Sequence, residues 1–117
     1  MIYQPGLHII AEFSSANKEL LQQFPAVQQL LNGQIIRYGL QKLGEVYHNF
    51  EPAGFTAVIC LSESHISLHT WPEFQRVNMD IYLSNYKRAN DQTAHAIYEE
   101  MQQFFNATII SCQHIKR

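Results

Sequence analysis

Three runs of alternating apolar and polar residues in the middle of the chain constrain its fold most strongly. They cover residues 55–62, 65–70 and 77–84. Alternation of this kind is typical of β-strands that turn one face toward a core. Because only short breaks separate the first two runs, and Pro72 interrupts the chain before the third, the pattern favours neighbouring antiparallel strands.

Helical patterns lie on both sides of this block. Residues 18–23 have helical propensity, and from Pro25 apolar residues recur with a period close to 3.6 as far as Leu40. Gly44 is suited to end this helix, since glycine is favoured after a helix C-terminus. Residues 90–106 carry a second apolar stripe at helical spacing and predict an amphipathic helix.

Additional strand patterns complete the order strand, helix, several strands, helix, strand. These patterns cover residues 8–13, 45–50 and 108–115. An order of this kind predicts an α+β fold, a two-layer sandwich in which an antiparallel sheet carries two main helices on one face.

Bulk properties describe a single globular domain over residues 1–117. The net charge of −2 and the absence of a basic run argue against a nucleic-acid partner. No stretch resembles a signal peptide or a membrane helix, and Cys60 and Cys112 indicate no disulfide framework, so we expect a cytoplasmic protein. Charged residues make up only 15% of the chain, which leaves room for a buried oligomer interface.

Residues with chemical potential concentrate in segment 63–73, which holds two histidines, two serines, two glutamates and the only tryptophan. This mixture suits neither a plain core strand nor a solvated loop, and it indicates a site at a strand end. His65 and His69 have a spacing that binds zinc mainly on a helix. The strand pattern and Pro72 exclude a helix here, so we predict no metal.

The sequence Glu63-Ser-His-Ile-Ser-Leu-His-Thr-Trp-Pro-Glu73, with the opening residues 6–13 and the stretch 50–64, resembles the small prokaryotic S-adenosylmethionine decarboxylases. Members of that family are pyruvoyl enzymes made as proenzymes that cut their own chain. The resemblance implies a cut between Glu63 and Ser64, giving a β chain of residues 1–63 and an α chain of residues 64–117. It also implies the two-layer fold and a homodimer with active sites shared between protomers.

Ser64 would be the precursor of the pyruvoyl cofactor. Its hydroxyl would attack the Glu63 carbonyl, and elimination and hydrolysis would leave a pyruvoyl group whose ketone holds the substrate amine as a Schiff base and acts as an electron sink. The resemblance assigns processing roles to His69 and Thr56. Most of the family has serine at the latter position, so Thr56 keeps the hydroxyl and adds a methyl group.

One catalytic position departs from the family. The expected proton donor is a cysteine, and this chain has Ser84, whose hydroxyl is a far weaker acid than a thiol with a pKa of about 8.5. Tyr82, His69 or a water molecule are alternative donors. The resemblance further implies substrate contacts by Phe50, whose ring would stack on adenine, and by Glu73, which would bind the ribose hydroxyls. Glu12 lies near the end of the first strand and is a candidate for the sulfonium charge.

The sequence therefore predicts decarboxylation of S-adenosylmethionine, which supplies the aminopropyl donor for spermidine synthesis. Two alternatives remain open because of Ser84. One is a pyruvoyl-dependent decarboxylase of a basic amino acid such as ornithine or arginine. The other is a non-catalytic homologue that binds a nucleoside or regulates a partner enzyme.

Overall fold

The computed structural model describes residues 2–117, which form one six-stranded sheet with three α-helices. The strands are β1 Leu7–Ser14, β2 Lys42–Asn49, β3 Phe55–Leu61, β4 Ser64–Trp71, β5 Arg76–Leu83 and β6 Thr108–Lys116. The helices are α1 Lys18–Gln22, α2 Pro25–Arg37 and α3 Asp91–Phe105, with a short 3₁₀ turn at Pro72–Phe74. Every neighbouring pair in the order β2-β3-β4-β5-β1-β6 is antiparallel. The predicted α+β sandwich is confirmed.

A single core lies between the helices and one face of the sheet. In β3 the buried side chains are those at odd positions, as the alternation predicts. Ile66 of β4 pairs with Ile59 of β3 on one side and with Ile81 of β5 on the other. Phe13 and Phe105 meet in this layer with ring centroids 5.6 Å apart. Fully burying one such aromatic side chain stabilises the fold by about 2–3 kcal/mol.

The second helix ends earlier than the sequence suggests. Helix α2 ends at Arg37, and Gly39 has a φ of +66°, a left-handed conformation that glycine adopts without strain. Leu40 is buried after the helix end, whereas Gly44 lies inside β2 beside a register irregularity in its pairing with β3. The prediction that Gly44 ends the helix is therefore wrong, since glycine in a strand also marks bulges.

The β3–β4 hairpin sets the orientation of Ser64. Ser62 and Glu63 form a two-residue turn, and Ser64 pairs with Leu61 at the start of β4. Directly paired residues share a face, so Ser64 has the register of the core-facing Leu61 and not that of Cys60. The alternation of residues 55–62, continued undistorted past Ser62, predicts the opposite face for Ser64, and this prediction is wrong because the chain reverses at Ser62 and Glu63.

The face of the sheet opposite the core is uncovered within residues 2–117. It carries polar side chains from the central strands and exposed apolar ones such as Val58 and Val46. None of the helices described has the length and apolar character needed to cross a bilayer.

Candidate active site

Ser64 occupies a strained backbone conformation. Its φ of +122° lies in a region that residues with a Cβ atom rarely adopt, and it follows a tight turn. Such strain costs on the order of 1–3 kcal/mol and persists only where surrounding contacts enforce it. The predicted nucleophile for chain cleavage is thus also a point of stored strain.

The carbonyl next to Ser64 is polarised by a backbone donor. The N–H of Ser84, directly after β5, donates a 2.8 Å hydrogen bond to the carbonyl oxygen of Glu63. A donor at this position stabilises the negative charge that develops on that oxygen when a nucleophile attacks the carbonyl carbon. Ser84 therefore lies next to the predicted cleavage bond through its backbone, a contact that spacing along the sequence does not reveal.

The side chain of Glu63 is held by two residues of the β5–α3 loop. Arg88 donates from Nη2 and Nε to the two carboxylate oxygens at 2.9 and 3.1 Å, and Asn90 Nδ2 donates to Oε2 at 2.5 Å. Burial raises the pKa of the Glu63 carboxyl, but these hydrogen bonds outweigh burial and hold the pKa below its ordinary value of 4.5. We refer to Glu63, Ser64, Ser84, Arg88 and Asn90 as the cleavage cluster.

A second group of predicted residues meets at the other end of β4. Phe50, Thr56, His69 and Glu73 line one cleft of about 460 Å³, together with Trp71. Thr56 Oγ1 and His69 Nδ1 form a hydrogen bond across directly paired positions of β3 and β4. We refer to the cleft lined by Phe50, Thr56, His69, Trp71 and Glu73 as the aromatic cleft. Its rings are unusually accessible, with Phe50 50% and Trp71 46% exposed, which suits a surface that receives a flat ligand.

The two groups are too far apart to act together in one chain. His69 follows Ser64 by five positions along β4, a distance of about 17 Å at roughly 3.3 Å per residue. The structure thus unites Phe50, Thr56, His69 and Glu73 and unites Glu63, Ser64 and Ser84, but it separates His69 from Ser64 within a chain. Processing chemistry that needs both residues requires a second copy.

Glu12 lies near the aromatic cleft but is already paired. Arg76 Nη1 donates to Glu12 Oε1 at 2.9 Å, and both residues line a smaller cleft with Trp71. Tyr82, a candidate proton donor, donates its hydroxyl to the carbonyl of Arg117 at 2.8 Å. It lines a cleft of about 270 Å³ together with Ser84.

A histidine cluster on the open face was not apparent from the sequence. His8, His65 and Asp80 each present one ligand-type atom, and these atoms lie within 4.8 Å of one another. His8 Nε2 is 3.3 Å from Asp80 Oδ2. Two imidazoles and a carboxylate form a donor set that suits transition-metal ions. The three residues come from β1, β4 and β5, so no spacing along the chain identifies them.

Comparison with known proteins decides the family. Residues 7–117 match the sequence profile described as S-adenosylmethionine decarboxylase. The chain belongs to the S-adenosylmethionine decarboxylase family. A decarboxylase proenzyme of Methanococcus maripaludis is 34% identical over 97% of this chain and 90% of that relative. One of Thermoplasma volcanium is 33% identical over 96% and 83%.

A solved member of this family has the same fold. The crystal structure of the adenosylmethionine decarboxylase from Aquifex aeolicus superposes with a TM-score of 0.86 and 28% identity, covering 99% of this chain and 92% of that one. The family membership predicted from segment 63–73 is therefore confirmed. The relatives from Methanococcus and Thermoplasma are both named proenzymes.

Proposed function

We propose that this chain is a proenzyme that cuts itself between Glu63 and Ser64 and then decarboxylates S-adenosylmethionine with a pyruvoyl group formed from Ser64. The product would be the aminopropyl donor for spermidine synthesis. The observation that carries this proposal is the strained Ser64 beside a carbonyl that already accepts a hydrogen bond from Ser84 N–H, within a chain of this family.

Cleavage follows from bonds between atoms that the fold brings together. Ser64 Oγ attacks the Glu63 carbonyl carbon, and the peptide nitrogen leaves that carbon, so the amide becomes an ester. Ser84 N–H stabilises the oxyanion in this step. Loss of the Ser64 α-proton then breaks the Cβ–O bond, which frees the Glu63 carboxylate as the end of the β chain. Water replaces the remaining nitrogen, which departs as ammonia, and the α chain is left with a pyruvoyl end.

The position of Ser64 fits a pyruvoyl group. Its φ of +122° is unfavourable because of the substituents on a tetrahedral α-carbon. In a pyruvoyl group that carbon is a planar ketone without the original amide nitrogen, so the strain is removed by the conversion. When formed, the group supplies an electron sink for the electrons released with carbon dioxide.

The substrate side of the site is supported by the aromatic cleft. Phe50 offers an exposed ring for the adenine, and the Glu73 carboxylate in the same cleft accepts hydrogen bonds from ribose hydroxyls. Glu12 contributes negative charge nearby for the sulfonium, although Arg76 shares it. Ser84 has the position of the family's proton donor, and its hydroxyl is the group we assign to that role.

A homodimer completes the site under this proposal. The cleavage cluster and the aromatic cleft lie at opposite ends of β4, and the open face of the sheet carries exposed apolar residues such as Val58. A two-fold axis lying in the plane of the open face and perpendicular to β4 would bring the Ser64 end of one protomer against the His69 end of its partner. His69 and Thr56 would then act on the partner's cleavage bond.

The test is release of carbon dioxide from carboxyl-labelled S-adenosylmethionine by purified protein. Ser64→Ala should abolish release, because it removes the nucleophile and the precursor of the cofactor. Parallel assays with ornithine and arginine address the alternative substrates. Release of carbon dioxide from an amino acid but not from S-adenosylmethionine would refute S-adenosylmethionine as the substrate. An intact chain that binds the nucleoside without turnover would favour the non-catalytic homologue.

Shared sites are tested by mixing two inactive variants. Ser64→Ala and His69→Ala chains, co-expressed with different tags and purified as mixed dimers, should recover cleavage in the His69→Ala chain. In such a dimer the Ser64→Ala protomer supplies an intact His69. If neither chain of the mixed dimer is cleaved, the shared-site arrangement is contradicted, whereas the proposed decarboxylation is not.

A further inference from the structure

The residue before the cleavage bond is fixed on three sides. Glu63 receives two hydrogen bonds from Arg88 and one from Asn90, and its backbone carbonyl receives another from Ser84 N–H. The Glu63 side chain is only 15% exposed. A turn residue with no role beyond reversing the chain does not need its carboxylate held from two sides.

Asn90 closes a ring of hydrogen bonds around the cleavage bond. Its Nδ2 donates both to Glu63 Oε2 at 2.5 Å and to the Ser84 carbonyl at 2.8 Å, and the residue is 1% exposed. Ser84 N–H in turn donates to the Glu63 carbonyl oxygen. The Asn90 side-chain amide therefore contacts both Ser84, which carries the oxyanion donor, and Glu63, whose carbonyl is attacked. Displacing Asn90 therefore loosens both of them together.

Arg88 anchors this ring to a different part of the fold. Its Nη2 also donates to the carbonyls of Tyr38 and Gly39 after helix α2, at 3.3 and 3.1 Å. Asn90, at the start of α3, is held in turn by a 2.6 Å hydrogen bond from its N–H to Asn85 Oδ1. The β3–β4 turn is thus braced between the ends of two helices, which is the kind of rigid support that keeps a strained residue strained.

We propose that Arg88 and Asn90 are positioning residues for self-cleavage, which hold the Glu63 carbonyl on the Ser84 N–H and hold Ser64 in its strained conformation. This inference rests on the proposed function, since it concerns the rate at which the Glu63–Ser64 bond is cut. Neither residue touches the reacting atoms. Their effect is therefore on the first step, attack by Ser64 Oγ, and not on the later elimination.

The experiment follows cleavage in full-length chains after a short pulse of cell-free synthesis. Fragments are separated under denaturing conditions at successive times for wild type, Asn90→Ala, Arg88→Ala and Arg88→Lys. Arg88→Lys keeps the positive charge and removes the two-pronged hydrogen bond, so it reports on geometry in a chain whose charge balance is unchanged. If the positioning energy of one charge-assisted hydrogen bond, about 1.5–3 kcal/mol, is lost on the way to the transition state, the rate falls roughly 10- to 100-fold.

Two control variants separate positioning from general destabilisation. Gln34→Ala removes another fully buried amide that also donates to a glutamate, at 3.1 Å to Glu100, away from the cleavage bond. Arg37→Ala removes another arginine–glutamate ion pair, with an N–O distance of 2.7 Å. Both controls should cleave within about twofold of the wild-type rate, whereas Asn90→Ala and both Arg88 variants should be slower by at least about tenfold.

Hydroxylamine identifies the step that is slowed. It cuts an accumulated ester but leaves an amide, so a variant blocked at elimination is cut by hydroxylamine and a variant blocked at the first attack is not. We expect no acceleration in the Asn90 and Arg88 variants. Cleavage of these variants at the wild-type rate, slowing equal to that of the two controls, or rapid cutting by hydroxylamine would each overturn the inference. Failure of wild type to cleave would instead refute the proposed function itself.

Discussion

Replacing Ser64 by glycine should stabilise the uncleaved chain relative to replacing it by alanine. Both variants lack the nucleophile, so neither is cut, and they differ only by a methyl group at a residue with a φ of +122°. Ser64→Ala keeps the Cβ atom and therefore the strain, whereas Ser64→Gly removes both.

The size of the difference follows from three opposing effects. Relief of strain favours glycine by about 2 kcal/mol. The greater freedom of glycine in the unfolded chain favours alanine by about 0.7 kcal/mol, and a half-buried methyl group favours alanine by about 0.4 kcal/mol. The net advantage of glycine is about 1 kcal/mol, which raises Tm by about 4 °C in a domain of this size.

Thermal unfolding of the two variants at equal protein concentration measures this difference directly, and equal concentration matters because a dimer's Tm depends on it. At an ordinary strand position the order is reversed, with alanine more stable than glycine. A Tm for Ser64→Gly equal to or below that of Ser64→Ala would refute the account of Ser64 as a strained residue.

Three other outcomes are expected. Ser84→Cys should raise the turnover number for decarboxylation by roughly tenfold or more with little change in KM, because a thiol is a better proton donor than a hydroxyl, as steady-state kinetics would measure. Phe105→Ala should lower the free energy of unfolding by about 3–5 kcal/mol in urea denaturation, since its ring is fully buried. Burial raises the pKa of the Glu100 carboxyl, but hydrogen bonds, of which the one from Tyr38 has the largest effect, hold that pKa below its ordinary value of 4.5. Its stabilising contribution is present above pH 4.5 and lost as pH falls through the lowered value, so Glu100→Gln should flatten the acid decline of stability.

The sequence predicts the sheet well because its signal is local. Period-two alternation in residues 55–62 and 77–84 translates directly into burial on one face of β3 and β5. The amphipathic stripe of residues 90–106 likewise corresponds to α3, Asp91–Phe105. Segment 63–73 identifies the family because its functional residues are contiguous.

Features that depend on chain reversal or on distant contacts could not be predicted. The period of an apolar pattern does not distinguish a glycine after a helix end, such as Gly39, from a glycine at a strand irregularity, such as Gly44. The turn at Ser62 and Glu63 determines the face of Ser64, and alternation does not reveal where a strand stops. Arg88 lies 25 positions from Glu63 along the chain, and the composition of its loop does not indicate that its side chain binds the Glu63 carboxylate.

The same limit applies to the division of the site. Ser64 and His69 are five positions apart, and in a helix or a loop such residues could meet. In an extended strand they are about 17 Å apart, which turns one motif into two half-sites. Only the strand assignment, taken with this distance, shows that the two residues lie apart within one chain, and their union in a dimer is part of the proposed function.

The denatured intact mass of the purified protein, taken after prolonged incubation, tests the central claim most directly. The account predicts two fragments, residues 1–63 and 64–117. The second should be lighter by one ammonia than the same fragment with an intact serine at its N-terminus. A single intact mass that neither time nor hydroxylamine alters would contradict the claim that this chain is a self-cleaving pyruvoyl proenzyme.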